Sequence, residues 1–148
     1  MSVPAGFEPL SPQSPFSKWA GPFYVQVEEA NVVLGFEVAA HHCNRAGRLH
    51  GSMICAAADL AIGRNIGVAV AQLGYAAASD ARRQGAGIAT ISLNTDFVGH
   101  APEGAWVEVH VDVHKAGRSV SFANAYVLHD GERIARASAV FKTLRPRD

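Results

Sequence analysis

Only two cysteines, Cys43 and Cys55, occur in the 148 residues, so the chain has no disulfide framework and must fold on its core. Charge is also scarce. Charged residues make up 18% of the chain, below the usual quarter, and 13 Lys+Arg offset 13 Asp+Glu to a net charge of zero. A neutral chain sets up no broad field to attract nucleic acid or anionic lipid, and no nucleic-acid partner is expected. The low charged fraction suits a surface partly covered by other subunits, which predicts a homo-oligomer. The first five residues lack the basic start and apolar run of a signal peptide, and a cytoplasmic protein is expected. The most apolar stretch, residues 53–75, is broken by Asp59, Arg64 and Asn65, whereas a membrane span needs about 20 apolar residues. It reads as a buried helix, with no membrane partner.

Several motifs are missing. There is no Gly-x-Ser-x-Gly elbow, and Gly85-Ala86-Gly87 lacks the lysine of a phosphate loop. His41, His42, Cys43 and His50 have neither zinc-finger nor His-Glu-x-x-His spacing, so no metal site is expected. Cys55 sits in an apolar helix, where a thiolate is disfavoured.

What remains is a single α+β domain, with 49% hydrophobic residues to build its core. Pro4, Pro9, Pro12, Pro15 and Pro22 crowd residues 1–22, which read as an irregular arm with a short turn of helix at residues 16–20. Phe7, Phe16 and Trp19 give that arm apolar groups to dock with. Strands are expected at residues 23–28 and 31–38, then a polar loop over 40–49. Residues 50–73 are rich in Ala, Leu, Ile and Met, hold no proline, and precede Gly74; they form the only long helix. Its many alanines and glycines let it lie close to a sheet. A polar connection over 76–85 leads to a strand at 87–97. Val107, Val109, Val111 and Val113 then alternate with Glu108, His110, Asp112 and His114, one face apolar and one wet. Ala116-Gly117 and Asp130-Gly131 read as two-residue turns needing positive φ, and residues 119–129 and 132–142 complete a four-stranded antiparallel run. One helix cannot cover both faces of about six strands, so the sheet must curl around it and leave an outer side for another subunit. That is the hotdog arrangement, expected over residues 23–148.

Asp59 stands out. Its helical neighbours Cys55, Ala56, Ile62 and Gly63 cannot pair with a carboxylate, so it needs partners from outside its helix, a wet cleft or a proton. Perturbed acids of this kind cluster at functional sites, although a place at a wet helix edge would also satisfy it. The second notable element is the helix entry around His50, Gly51 and Ser52. Its first N–H groups are unpaired and Gly51 permits close approach, as in an oxyanion hole; capping by His50 or Ser52 is the alternative use. Gly51 and Asp59 lie about 12 Å apart along one helix, too far to serve one reacting carbon. Two antiparallel helices of a symmetric dimer could bring them together, giving two equivalent sites.

The run Asn44-x-x-Gly47-x-x-His50-Gly51-x7-Asp59, on this order of strands and helix, resembles the hotdog-fold acyl-CoA thioesterases. It is most similar to the phenylacetate-pathway (PaaI-like) branch of the 4-hydroxybenzoyl-CoA thioesterase superfamily, over residues 23–143. The resemblance implies hydrolysis of an acyl- or aryl-CoA thioester by a dimer of dimers. It implies Asp59 as nucleophile or general base, the Gly51 N–H as oxyanion donor, Asn44 holding the loop and the attacking water, and His50 shaping the loop. Thr90 matches the family hydroxyl that orients water, with Ser92 the alternative if the register slips by two. Ser52 departs from the family's second glycine and Thr90 from its serine, which leaves the acyl preference open. Coenzyme A carries phosphates, and Lys115, Gly117, Arg118 and Ser119 resemble the segment that meets its nucleotide part, although cations at a hairpin tip also serve solubility alone. Arg82, Arg83 and Arg145 are further cations to consider, and His100 a residue at the cleft. No metal or redox cofactor is implied; coenzyme A enters as part of the substrate. A hotdog enoyl-CoA hydratase or dehydratase, and a non-catalytic acyl-CoA-binding module, are the rival readings.

Overall fold

The computed structural model describes residues 2–75 and 87–144. Its elements in chain order are β1 (Glu8–Pro9), α1 (Pro15–Ala20), β2 (Tyr24–Glu28), β3 (Asn31–Glu37), a 3-10 turn (Ala40–His42), α2 (Gly51–Gln72), β4 (Ile88–Phe97), β5 (Trp106–Lys115), β6 (Val120–His129) and β7 (Glu132–Thr143). The strands form one seven-stranded sheet in the order β1-β2-β3-β5-β6-β7-β4, with every neighbouring pair antiparallel.

The sheet curls around α2, which packs against β3, β4, β5, β6 and β7. The valine alternation of β5 lands as expected, with Val107, Val109 and Val111 buried. Close approach is set by small residues on both sides: Ala57, Ala58 and Ala61 of α2 are buried, as are Ala123, Ala125, Ala135, Ala137 and Ala139 of β6 and β7. Alanine against alanine brings a helix axis nearer the sheet than leucine would allow, and interiors tolerate no gap in exchange. By length and hydropathy alone α2 would suit a membrane span; here it is the core helix, enclosed by strands.

Asn65 fixes where α2 sits. This buried side chain accepts a hydrogen bond from the Val32 N–H at 2.9 Å and donates to the Val32 carbonyl at 2.8 Å and the Ala61 carbonyl at 2.9 Å. It therefore stitches the helix to the start of β3. Asn65→Leu removes all of these bonds and leaves buried backbone groups of Val32 unmatched, so urea unfolding is expected to report a loss of about 3 kcal/mol. A loss under about 0.5 kcal/mol would show that water satisfies Val32 instead.

Three sequence expectations change. β4 does not open the four-stranded run beside β5: it crosses to the far edge and pairs with β7, because β3 already occupies the free side of β5. A seventh strand comes from the first residues, where β1 pairs Glu8 with Val25 and Pro9 with Tyr24. The same segment carries the short helix expected at residues 16–20, found as α1, whose N-cap Ser14 accepts from the Ser17 N–H while Ser17 Oγ accepts from the Ser14 N–H, a reciprocal box that stabilises so short a helix. Third, Asp130-Gly131 is a tight turn with φ of 49° and 76°, but Ala116-Gly117 is not. Residues 116–119 form a longer loop, and Gly117 is needed there because a Cβ would overlap the Val120 carbonyl oxygen.

Candidate active site

Asp59 finds its partner on β4. The Thr90 hydroxyl donates to Asp59 Oδ1 at 2.7 Å, fixing the half-buried carboxylate from outside its own helix and leaving Oδ2 without a protein partner among the described residues. A β-bulge decides which hydroxyl does this. Thr90 pairs with Phe141 and Ser92 with Val140, so Ile91 is the extra residue. The bulge reverses the alternation, and Ser92 does not share the face of Thr90.

The pair borders a cavity of about 300 Å³. It is the seam left open between the two edges of the curled sheet: Thr90, Ala89 and Ile88 of β4 on one side, Leu10, Pro12 and Ser14 of the N-terminal segment on the other, with α2 as floor. Gly63 and Gly67 keep that floor low. A Cβ at Gly63 would lie 3.3 Å from the Phe141 ring, so a larger side chain there would fill the space. Arg64 also borders this cavity. It is a residue the sequence reading treated only as a break in an apolar run.

The entry to α2 is built separately. His50 is the N-cap: its Nδ1 accepts from the Ser52 N–H at 3.0 Å and lies 2.8 Å from Ser52 Oγ. The N–H groups of Met53 and Ile54 donate to the His50 carbonyl, whereas that of Gly51 has no acceptor among the described residues. One donor is thus left pointing away from the helix start. Asn44 organises the preceding loop, its Oδ1 accepting from the N–H groups of Ala46 at 2.9 Å and Arg48 at 3.3 Å. His42 anchors this loop to α1: its Nδ1 accepts from the Ala39 N–H, which leaves Nε2 to donate to the Ala20 carbonyl. Burial lowers the His42 pKa, keeping the ring neutral and both bonds intact. With both nitrogens engaged, His42 is a structural residue. Among the described residues no group of His, Cys, Asp and Glu is placed to hold a metal ion.

The remaining predicted residues lie apart. His100 is exposed in the connection after β4, next to Ala101, whose carbonyl accepts from the Leu49 N–H at 2.8 Å. Lys115, Gly117, Arg118 and Ser119 sit at the other end of α2, where Arg118 lies over the Tyr75 ring at 5.4 Å. Their loop is held by Gly117 N–H to Ser121 Oγ and by Thr143 Oγ1 to the Gly117 carbonyl. Arg82, Arg83 and Arg145 lie outside the described residues. Within one protomer the fold therefore joins Asp59 to Thr90 and joins Asn44, His50, Gly51 and Ser52 into a second cluster, but leaves the two clusters separate.

Comparisons with known proteins agree with this architecture. Residues 41–142 match the family model described as the acyl-CoA thioesterase N-terminal domain. A Pseudomonas aeruginosa protein named "Putative esterase PA0474" is 38% identical over 143 residues, 95% of this chain and 97% of that protein. The phenylacetic acid degradation protein PaaI of Thermus thermophilus, solved as a mutant, superposes with a TM-score of 0.68 at 21% identity, covering 88% of this chain and all of the other. PaaI of Escherichia coli gives 0.67 at 13% identity, over 90% and 86% of the two chains. The chain belongs to the acyl-CoA thioesterase family of the hotdog fold, with PaaI proteins among its structural neighbours.

Proposed function

We propose that the protein hydrolyses acyl-CoA or aryl-CoA thioesters to the free acid and coenzyme A. The observation that carries this reading is Asp59, tethered through Oδ1 by Thr90 and open at Oδ2 in an otherwise largely apolar cavity. Oδ2 either attacks the thioester carbonyl carbon or takes a proton from the attacking water. The Thr90 proton is committed to Asp59, so its oxygen serves as an acceptor that orients water. As the carbonyl carbon becomes tetrahedral, its oxygen gains charge beside the unpaired Gly51 N–H, at the positive end of α2. Collapse expels coenzyme A as the thiolate. Water completes the reaction directly or by hydrolysing the acyl-Asp59 anhydride. No metal or redox cofactor takes part.

The Asp59 and Gly51 clusters belong to different subunits of a dimer. Edge strand β4 supports this: it is ten residues long, exposed, and carries Ile91 and Phe97 at 56% and 52% exposure, with Val98 just beyond. An edge of that length, unpaired among the described residues, invites a second copy. Pairing there sets two α2 helices side by side, and a dimer of dimers in the cytoplasm is the proposed assembly. Lys115, Gly117, Arg118 and Ser119 meet the phosphates of coenzyme A, while Ser52 and His100 border the thioester end.

Free-thiol release from a panel of phenylacetyl, hydroxybenzoyl, short-chain and medium-chain coenzyme A thioesters tests the reading. Turnover of any class supports it. No turnover by an assembled protein, with hydration of an enoyl-CoA instead, gives the site to a hydratase; binding of the thioesters with neither reaction makes it a binding module.

A further inference from the structure

The cavity beside Asp59 holds a second ionised side chain for which hydrolysis has no use. Arg64 borders it half-buried, and Nη2 donates to the Ser11 carbonyl at 3.2 Å. Among the described residues no carboxylate forms an ion pair with it. Burial lowers its pKa, yet a guanidinium stays protonated. Positive charge is therefore held partly out of water beside Leu10, Leu60 and Val68. A cation in such surroundings calls for a counter-ion, and a fork of five donors bonded to one carbonyl leaves most of its capacity unspent.

We propose that Arg64 recognises a carboxylate at the far end of the acyl group, so that the preferred substrates are thioesters of short linear diacids. This inference rests on the thioesterase reading and names its substrate class. Arg64 follows Asp59 by five residues, a rise of about 7.5 Å along α2, and both border the same cavity. The floor beside them is open because Gly63 and Gly67 carry no side chain. An acyl chain with its thioester at Asp59 and Thr90 runs over these glycines and ends at the guanidinium, which grips a carboxylate by two parallel hydrogen bonds. The competing role is a strap: through Ser11, Arg64 holds the N-terminal segment against α2. A strap does not distinguish acyl groups by their charge.

The test compares kcat/KM for adipyl-CoA against hexanoyl-CoA, and glutaryl-CoA against valeryl-CoA, in wild type, Arg64→Met and Arg64→Lys. Wild type is expected to favour the diacid thioester by about 10-fold or more. Arg64→Met brings the ratio to one or below, and Arg64→Lys retains part of the preference. Each ratio is taken within one variant, so a general loss of activity from a loosened N-terminal segment cancels. A wild-type ratio at or below one, or a ratio unmoved in Arg64→Met, overturns the inference. Calorimetric binding of adipamate and hexanamide, which differ only in the far carboxylate, by the assembled protein separates this from the catalytic reading. Adipamate bound by wild type and lost in Arg64→Met supports the Arg64 site even where no thioester is cleaved, a result that overturns the thioesterase reading alone. Equal binding of the two amides, or none, overturns the Arg64 site.

Discussion

Asp59→Asn is expected to lower kcat/KM for the best thioester by about 1000-fold while the oligomer stays intact. The substitution is nearly isosteric, and the amide oxygen can still accept the Thr90 hydroxyl proton that now goes to Oδ1 at 2.7 Å. What is lost is the chemistry at Oδ2: an amide neither attacks a thioester carbonyl usefully nor takes a proton from water near neutral pH. The loss should fall mainly on kcat, because the group acts on the reacting carbon rather than on the binding of coenzyme A. Size-exclusion chromatography and circular dichroism serve as controls on assembly. Activity within a few-fold of wild type would remove Asp59 from the mechanism and leave the apolar cavity without a catalyst.

Asp59 was legible in the sequence because a carboxylate without a helical partner has a cost that only something outside the helix can offset. Its partner was harder to place. Period-two reasoning puts Thr90 and Ser92 on one face, and the choice between them depends on a bulge at Ile91 that no local pattern announces. The valine ladder of β5 was readable for the opposite reason, since a half-buried strand must alternate along its whole length. Strand order is a tertiary matter: nothing in residues 88–97 states that they pair with β7 rather than β5. Strand β1 hid for lack of length, two residues being too few for any periodicity, whereas the short helix expected at residues 16–20 lies at Pro15–Ala20. Arg64 carries the same signal as Asp59, an ionised group in an apolar helix without a partner nearby. Yet arginine reaches water easily from a buried helix, so its oddity gained meaning only once its place in the cavity and the absence of an ion pair to it among the described residues were seen.

The proposal that each site is shared between subunits makes a second large effect testable at Gly51. Gly51→Pro is expected to lower kcat by about 100- to 1000-fold, the usual consequence of deleting one oxyanion donor, without unfolding α2. Gly51 is the first helical residue, where proline is well tolerated, and His50 before it has φ −70° and ψ 139°, a conformation compatible with a following proline. The substitution thus removes an N–H that the helix itself does not use. Gly51→Ala is the control: it places a Cβ about 3.3 Å from the Phe97 ring but keeps the N–H, and should retain most activity. Mixing decides between sites within and between subunits. When Asp59→Asn and Gly51→Pro proteins are dissociated and reassociated together, a mixed dimer has one damaged-twice site and one site with both Asp59 and Gly51 intact. Random reassociation makes about half of the dimers mixed, each with one working site of two, so about a quarter of wild-type activity returns. If both groups instead acted within one protomer, every site in the mixture would carry a lesion and no activity would return.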